Sequence, residues 1–475
     1  MSGAKLVRKI VIQCKLKTQS PLRIGSGANE GLTDILILKD KQGRPFIPGT
    51  SLAGVLRSEI AAIYGEYGEV AADKLFGSID GRDANQSMLN ISDVVLSYKG
   101  IVVRDGVAID ELTGVAKTGA KFDFEALERG AEGDVLLELT VRECDEAKPL
   151  PISYQHNAYS VKGDCYGELA ATIADLLTSG ISVGSLTTKG YGKIAGAEAV
   201  AVYDFDFAQA KSAEQWLAYI SDEKLPQAAY TGKAEAAKAA KNFYLEVGCA
   251  LQGALLVRNF DVDDSQQNKE EATLSAVQLK SGEDYVIPGT SWKGVLRSRA
   301  FKILLALTGN DLQVAQHKLQ EIFGFANDGD KQSGKRSKLL VDETYISTNK
   351  LSAMRQTRNR IDRFTGSTID SALFCEEPVW QQKLDEKTVT LKACLKNCSQ
   401  AEAGLMLLLM KDLWLGNMNI GSGRGVGRGV LRGVHCQIDY AGNTYTMENK
   451  NGFTLTGNKD KLEACVQALV GELNG

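Results

Sequence analysis

The 475-residue sequence offers little for conventional catalysis. It has three histidines, His156, His317 and His435, which stand far apart and read as structural side chains. It contains no P-loop and no His-Glu-x-x-His, which excludes the common nucleotide-hydrolysing and zinc-protease signatures. No apolar run approaches the roughly 18 residues that a membrane span needs, so a membrane partner is not expected. Met1 to Lys9 lead straight into an alternating strand pattern rather than a signal peptide. The nine cysteines are odd in number and scattered. Cys394 and Cys398 are close, but no second pair accompanies them at zinc-finger spacing, so the expectation is reduced core thiols in a cytoplasmic protein. The net charge of −4 excludes a surface coated in basic charge. It does not exclude a local basic patch, and Lys331 to Arg363 carry nine Lys or Arg against three acids.

What the sequence does have is repetition. Pro-Gly-Thr-Ser-Leu-Ala-Gly-Val-Leu-Arg-Ser at 48–58 returns as Pro-Gly-Thr-Ser-Trp-Lys-Gly-Val-Leu-Arg-Ser at 288–298, with nine of eleven positions identical. Paired landmarks follow in the same order: Leu75-Phe76-Gly77 with Ile322-Phe323-Gly324, Ile109-Asp110 with Ile361-Asp362, and Gly184-Ser185 with Gly421-Ser422. Each copy is far longer than a solenoid repeat of roughly 20–50 residues. Two homologous domains in tandem are expected: a first copy over 5–203, a linker over 204–242, a second copy over 243–438, and a tail over 439–475 holding a hairpin and an amphipathic helix. Within each copy the pattern is strand, Gly loop, strand, helix, strands, a long insertion, strand, helix, then a second Gly loop and strand. That order is the ferredoxin-like α+β arrangement, with helices on one sheet face.

Three features are candidates for binding. The first is the helix after Pro48-Gly49. Thr50 or Ser51 is expected to cap it, and its N-terminal N–H groups and dipole suit an anion such as phosphate. Ser51, Arg57 and Ser58 are the candidates in copy one. Ser291, Lys293, Arg297 and Ser298 are those of copy two, where Lys293 and Arg297 share a helical face. The second is the late glycine loop, which allows close backbone approach. It gives Lys189, Gly190 and Gly192 in copy one and Gly423, Arg424 and Gly425 in copy two. The third is the insertion, where Arg104 in one copy and Arg355, Arg358 and Arg360 in the other stand with aromatic residues (Phe122 and Phe124; Phe374 and Trp380). Basic and aromatic residues on a hairpin can hold a nucleic-acid strand and separate its bases.

These residues resemble those of the RAMP superfamily, and specifically the Csm/Cmr-type backbone subunits of type III CRISPR effector complexes. The resemblance is carried by Pro21-Leu22-Arg23-Ile24-Gly25, Ile47-Pro48-Gly49-Thr50-Ser51 with Gly54-Val55-Leu56-Arg57-Ser58, Leu75-Phe76-Gly77, Val107-Ala108-Ile109-Asp110 and Gly190-Tyr191-Gly192. A tandem fusion of two such domains is similar to the double backbone subunit of III-D-like systems. The resemblance implies two ferredoxin-like, RRM-related palms that hold guide CRISPR RNA. It also implies thumb hairpins that kink the guide–target duplex every six nucleotides, and partner RAMP-type subunits. In the family an aspartate before the capped helix cleaves target RNA. Asp34, fourteen residues before Pro48, matches it in copy one. The same spacing in copy two reaches Leu274, within reach of an acidic loop where Asp263 and Asp264 are alternative acids.

Such cleavage asks little of the protein. If a kinked nucleotide brings its 2′-OH in line with the next phosphate, a carboxylate acts as general base or holds a divalent cation, Mg or Mn, that stabilises the developing charge. The expected function is therefore a metal-dependent target-RNA endoribonuclease within a guide RNA complex, with the first copy the stronger candidate. The alternative is a non-catalytic guide-RNA scaffold, which the mismatch at Leu274 favours for copy two. A guide-processing nuclease ranks below both, because no histidine precedes His156.

Overall fold

The computed structural model describes residues 5–25, 36–78, 85–110, 116–146, 150, 152, 164–221, 226–234, 241–259, 274–325, 334–370, 372–383, 386–449 and 453–474. The chain divides into two compact units. One comprises Met1–Gly106, Lys121–Thr187 and Tyr191–Ala240; the other comprises Val107–Ala120, Thr188–Gly190 and Lys241–Gly475. The architecture is mixed α+β.

In the first unit the strand Leu6–Thr18 is central. Ile10, Ile12, Cys14 and Leu16 are buried while Gln13 and Lys15 are exposed, the two-residue period of a sheet with one covered face. It pairs antiparallel with Glu132–Arg142 on one side and with Ala201–Asp206 on the other. Leu89–Ile91 lies outside Glu132–Arg142, and Tyr230–Thr231 lies outside Ala201–Asp206. Helix Gly49–Ile63 presents Leu52, Leu56 and Ile60 every fourth residue to the core shared with Ile10 and Ile12. Each such side chain contributes roughly 1.5–3 kcal/mol when buried. Helix Cys165–Ser179 is buried around its whole circumference up to Leu177, and Asp164 caps it by accepting from Gly167 N–H. Arg8 donates to Asp164 at 2.9 and 2.7 Å and to Asp204 at 2.8 Å, tying this cap to two strands.

The second unit repeats the order. Leu339–Val341, Val389–Leu395, Phe243–Gln252 and Val430–Tyr440 form an antiparallel sheet in that sequence. Helix Gly289–Leu307 buries Trp292, Leu296, Ala300 and Leu304 on it, and helix Gln400–Trp414 starts with a capping box between Ser399 and Glu402. The sheet then continues through Asn443–Asn449 and Phe453–Thr456. The turn at Ala441 and Gly442, both with positive φ, and helix Lys459–Asn474 agree with the hairpin and helix read from the tail. The tail is thus an extension of the second sheet.

The segment 204–242 carries more structure than a tether. Helix Ala210–Ile220 packs Trp216 and Tyr219 on Phe205, with ring centroids 5.2 and 5.6 Å apart. Tyr230 donates its hydroxyl to Asp175 Oδ1 at 2.9 Å from an edge strand of the first sheet. All nine cysteines are free, and seven of them are buried. Among the described residues no helix is long and apolar enough to cross a membrane.

Candidate nucleic-acid interface

The two first helices start alike but not as expected. Pro48 and Pro288 occupy the N-cap positions in extended conformation, and neither helix has a side-chain cap, so Thr50 and Ser51 do not close the first turn. Proline costs nothing there because the N–H it lacks would have been an orphan. In the first unit Gly49 N–H donates to Asp93 Oδ1 at 2.8 Å. A carboxylate of the fold therefore already sits at the dipole end that was expected to receive phosphate. Gly49 is required for packing, since a Cβ would lie 2.3 Å from Ile91 O.

Three expected phosphate contacts point inward. Arg57 Nη1 donates to Gly77 O at 2.7 Å and pairs with Asp73; Arg297 Nη1 donates to Gly324 O at 3.0 Å. Both glycines end the following helix (Gly68–Phe76 and Leu312–Phe323) with positive φ. A guanidinium suits the negative end of a helix dipole, and this contact explains why Phe-Gly recurs after both helices, 20 residues beyond the arginine in one copy and 27 in the other. Lys293 is 7% exposed, and its Nζ donates to Leu339 O at 3.0 Å and Thr188 O at 3.2 Å. Burial first, then Lys189, Arg297 and Arg336, push its pKa down to about 7.

Over the first turns of these helices, up to Ser58 and Ser298, what remains outward is small and polar. Ser51, Gly54 and Ser58 share one face by their three- and four-residue spacing, as do Ser291, Gly294 and Ser298. Ser51, Ser291 and Ser298 are half-buried; Gly54, Gly294 and Ser58 are exposed. A Cβ on Gly54 or Gly294 would meet nothing within 4 Å. A glycine inside a helix costs roughly 0.5–1 kcal/mol relative to alanine, and here no described neighbour in the fold requires it.

The glycine loops match in backbone. Gly184 and Gly421, Leu186 and Gly423, Gly190 and Gly427, and Gly192 and Gly429 all have positive φ in the same order. Gly192 and Gly429 are obligatory, since a Cβ would lie 1.9 Å from Val183 O or 1.8 Å from Ile420 O. Ser185 N–H donates to Arg23 O at 2.8 Å, and Ser422 N–H to Leu256 O at 2.6 Å. Lys189 is half-buried and Gly190 and Gly192 are buried, whereas Arg424 and Gly425 are exposed beside half-buried Gly423. Arg428 does not join Arg424 and Arg432 outside. It is 3% exposed, with Nη1 2.7 Å from Glu376 Oε2 and Nη2 donating to Gln356 Oε1 at 2.9 Å.

The first insertion is a two-stranded ribbon, and the second belongs to a four-stranded sheet in which Leu274–Gln278 pairs parallel with Phe374–Glu377. In the first, Ile101–Ile109 pairs with Ala116–Leu127; in the second, Gln356–Arg358 pairs with Phe374–Glu377. Arg355 is exposed and lies 3.4 Å from Glu377 Oε2. Arg358 is half-buried against Gln356 Oε1, and Arg360 is exposed. At the tip Asp362 Oδ1 accepts from Phe364 and Thr365 N–H, which holds its carboxyl below the usual range and leaves Phe364 fully exposed.

Asp34, Asp263 and Asp264 lie outside the described residues, as do His156 and the side chain of Phe122. Among the described residues no group of three or more His, Cys, Asp or Glu is placed to hold a metal ion. Arg23, Tyr191, Gln356 and Glu376 were not singled out from the sequence as site residues. Aligning 21–25 with 254–258 would have shown the arginine of one copy facing a leucine in the other.

The description "RAMP superfamily" belongs to the family model that matches residues 15–195 and 229–432. No curated protein matches the chain.

Proposed function

The chain belongs to the RAMP superfamily through both of its halves, and from that premise we propose that it is a guide-RNA-binding backbone subunit of a multi-subunit type III CRISPR complex. Each unit is read as one ferredoxin-like domain, a reading supported by the repeated antiparallel strand order. The observation that carries the proposal is the duplicated Ser-Gly-Ser helix face, whose glycine no described packing in the fold requires. A face without side-chain bulk lets an RNA backbone lie against the helix, and serine hydroxyls can donate to its phosphates. Ser51, Ser58, Ser291 and Ser298 are assigned to that contact. Gly423, Arg424, Gly425, Arg355, Arg358 and Arg360 extend it. Arg57, Lys293 and Arg297 hold the helix in place, and the buried glycines Gly190 and Gly192 shape the loop that carries Lys189.

The test is binding of fluorescent single-stranded RNAs of different sequence by the full chain across a salt series. Affinity should be nearly independent of sequence and fall steeply with salt as counterions are released. Salt-independent or strongly sequence-selective binding would overturn the reading. The finer reading is that the subunit cuts target RNA at six-nucleotide spacing with Mg or Mn, Asp34 being the acid of the first unit and Asp263 or Asp264 that of the second. It rests on the resemblance and the spacing from Pro48. In an assembled complex, Asp34→Ala should remove one cut from an end-labelled target and leave assembly intact; an unchanged ladder favours the non-catalytic scaffold.

A further inference from the structure

Two arginines in the first unit are buried without a counter-charge among the described residues. Arg23 and Arg104 are each 7% exposed. Arg23 Nε and Arg104 Nε and Nη2 have no hydrogen-bond partner among those residues. Both are placed beside one ring, Arg23 by direct contact and Arg104 by strand register. Arg23 Cζ lies 4.8 Å from the centroid of Phe124, which meets Tyr191 edge-on at 5.6 Å. Glu128 N–H donates to Gly100 O at 3.0 Å. Continued along the ribbon, that antiparallel register sets Arg104 opposite Phe124. Val102, two residues away and on the same ribbon face, packs with Phe124, Ala126 and Tyr191. An aromatic face can attract a guanidinium but cannot accept its in-plane N–H groups, and buried polar groups are rarely left in that state. Burial holds the Arg23 guanidinium below its usual range, with Tyr191 acting the other way.

The second unit shows what belongs there. Leu22 bridges Leu127 as Leu255 pairs with Val379, and Ser185 bonds to Arg23 O as Ser422 bonds to Leu256 O. By that correspondence Leu256 stands for Arg23, Glu376 for Phe124, Arg428 for Tyr191 and Gln356 for Arg104. There the cationic groups meet an acid of the fold: Glu376 is 2.7 Å from Arg428 Nη1 and 2.8 Å from Arg258 Nη2. The first unit has two guanidinium groups at this place and a ring where the second has its acid.

We infer that Arg23 and Arg104 form a phosphate subsite in the first unit, filled by one phosphate of the bound RNA, which supplies the negative charge that the Glu376 carboxylate supplies in the second. Two planar donors converging on one tetrahedral oxyanion make charge-assisted hydrogen bonds that a ring cannot replace. The subsite adjoins the proposed RNA face, because Arg23 O is the acceptor of the glycine loop's Ser185. The inference rests on the RNA-binding reading for its source of phosphate.

The test uses full-length Arg104→Gln and Arg23→Leu, the residues of the second unit, with two probes. In the first, melting is followed with inorganic phosphate against chloride at equal ionic strength. The wild type should gain a few degrees from phosphate, and both variants should lose that gain. In the second, single-stranded RNA affinity is measured against salt. Each variant should bind several-fold more weakly, with the slope of log K against log salt smaller by about one. If the wild type binds RNA and both variants keep its affinity and slope, the inference is overturned while the RNA reading stands. If the wild type binds no RNA but loses its phosphate response in the variants, the RNA source is overturned and a free-phosphate site remains. If the variants fold, melt lower and respond to phosphate as the wild type does, the arginines are structural and the inference fails.

Discussion

At the base of the first ribbon a guanidinium lies on an aromatic ring; at the matching place in the second unit a guanidinium lies against a carboxylate. Arg23 faces Phe124 and Tyr191, whereas Arg428 faces Glu376 and Gln356. The backbone around the two sites is nevertheless the same, down to the signs of φ at four loop positions. The frame is fixed by main-chain contacts, such as Gly192 N–H to Pro21 O at 2.8 Å and Gly429 N–H to Ala254 O at 2.7 Å, that involve no side chain. Side chains inside that frame were therefore free to diverge without moving it. A buried ion pair is a poor source of net stability, because desolvation offsets most of its attraction. The two fillings differ less in what they contribute to folding than in what they leave for a ligand.

The largest effect should come from breaking the pair in the second unit. Glu376→Ala strands two guanidinium groups, one of them 3% exposed, and should cost about 3–5 kcal/mol by denaturant unfolding. Phe124→Leu, which keeps an apolar side chain of similar bulk, should cost less. Equal losses would mean that the first unit's ring contributes as much to its arginine as the carboxylate does to its own.

Next comes the lysine that the second unit has where the first has Ala53. Folded Lys293 loses its proton near pH 7 instead of the ordinary 10.5. Between those values the unfolded chain binds more protons than the folded one, so stability rises with pH across that window. Below pH 7 both states are protonated and the cost of burying the charge is felt in full. Lys293→Met should remove this rise. Parallel stability–pH curves for variant and wild type from pH 7 to 10 would show that the buried amine keeps its proton.

The smallest effect on folding separates packing from binding. Gly54→Ala and Gly294→Ala meet open space and should each stabilise the protein by about 0.5–1 kcal/mol. Both should weaken RNA binding severalfold by adding a methyl group to the proposed contact face. If one variant weakens binding and the other does not, the two units do not share the RNA equally. If neither does, the helix face is not the contact.

Much of the frame was legible in the chain. The eleven-residue repeat located both first helices, Gly49–Ile63 and Gly289–Leu307. The hairpin expected in the tail is the one that extends the second sheet. Local signals sufficed because glycine, proline and apolar spacing act on the backbone within a few residues. The orientation of charge was not legible. Arg57 and Arg297 sit at positions that helical spacing alone permits to face solvent, yet the carbonyls at Gly77 and Gly324 draw them in.

By itself, then, the sequence determined that one α+β frame is built twice, because repeated backbone constraints dictate repeated backbone paths. Only the tertiary structure decided which cations remain available. Arg57, Lys293, Arg297 and Arg428 end on internal acceptors, while Arg424 stays outside. The physical reason is that the partners come from distant parts of the chain: Arg428 and Glu376 are 52 residues apart, and Lys293 and Leu339 are 46 apart. No local pattern of charge carries that information.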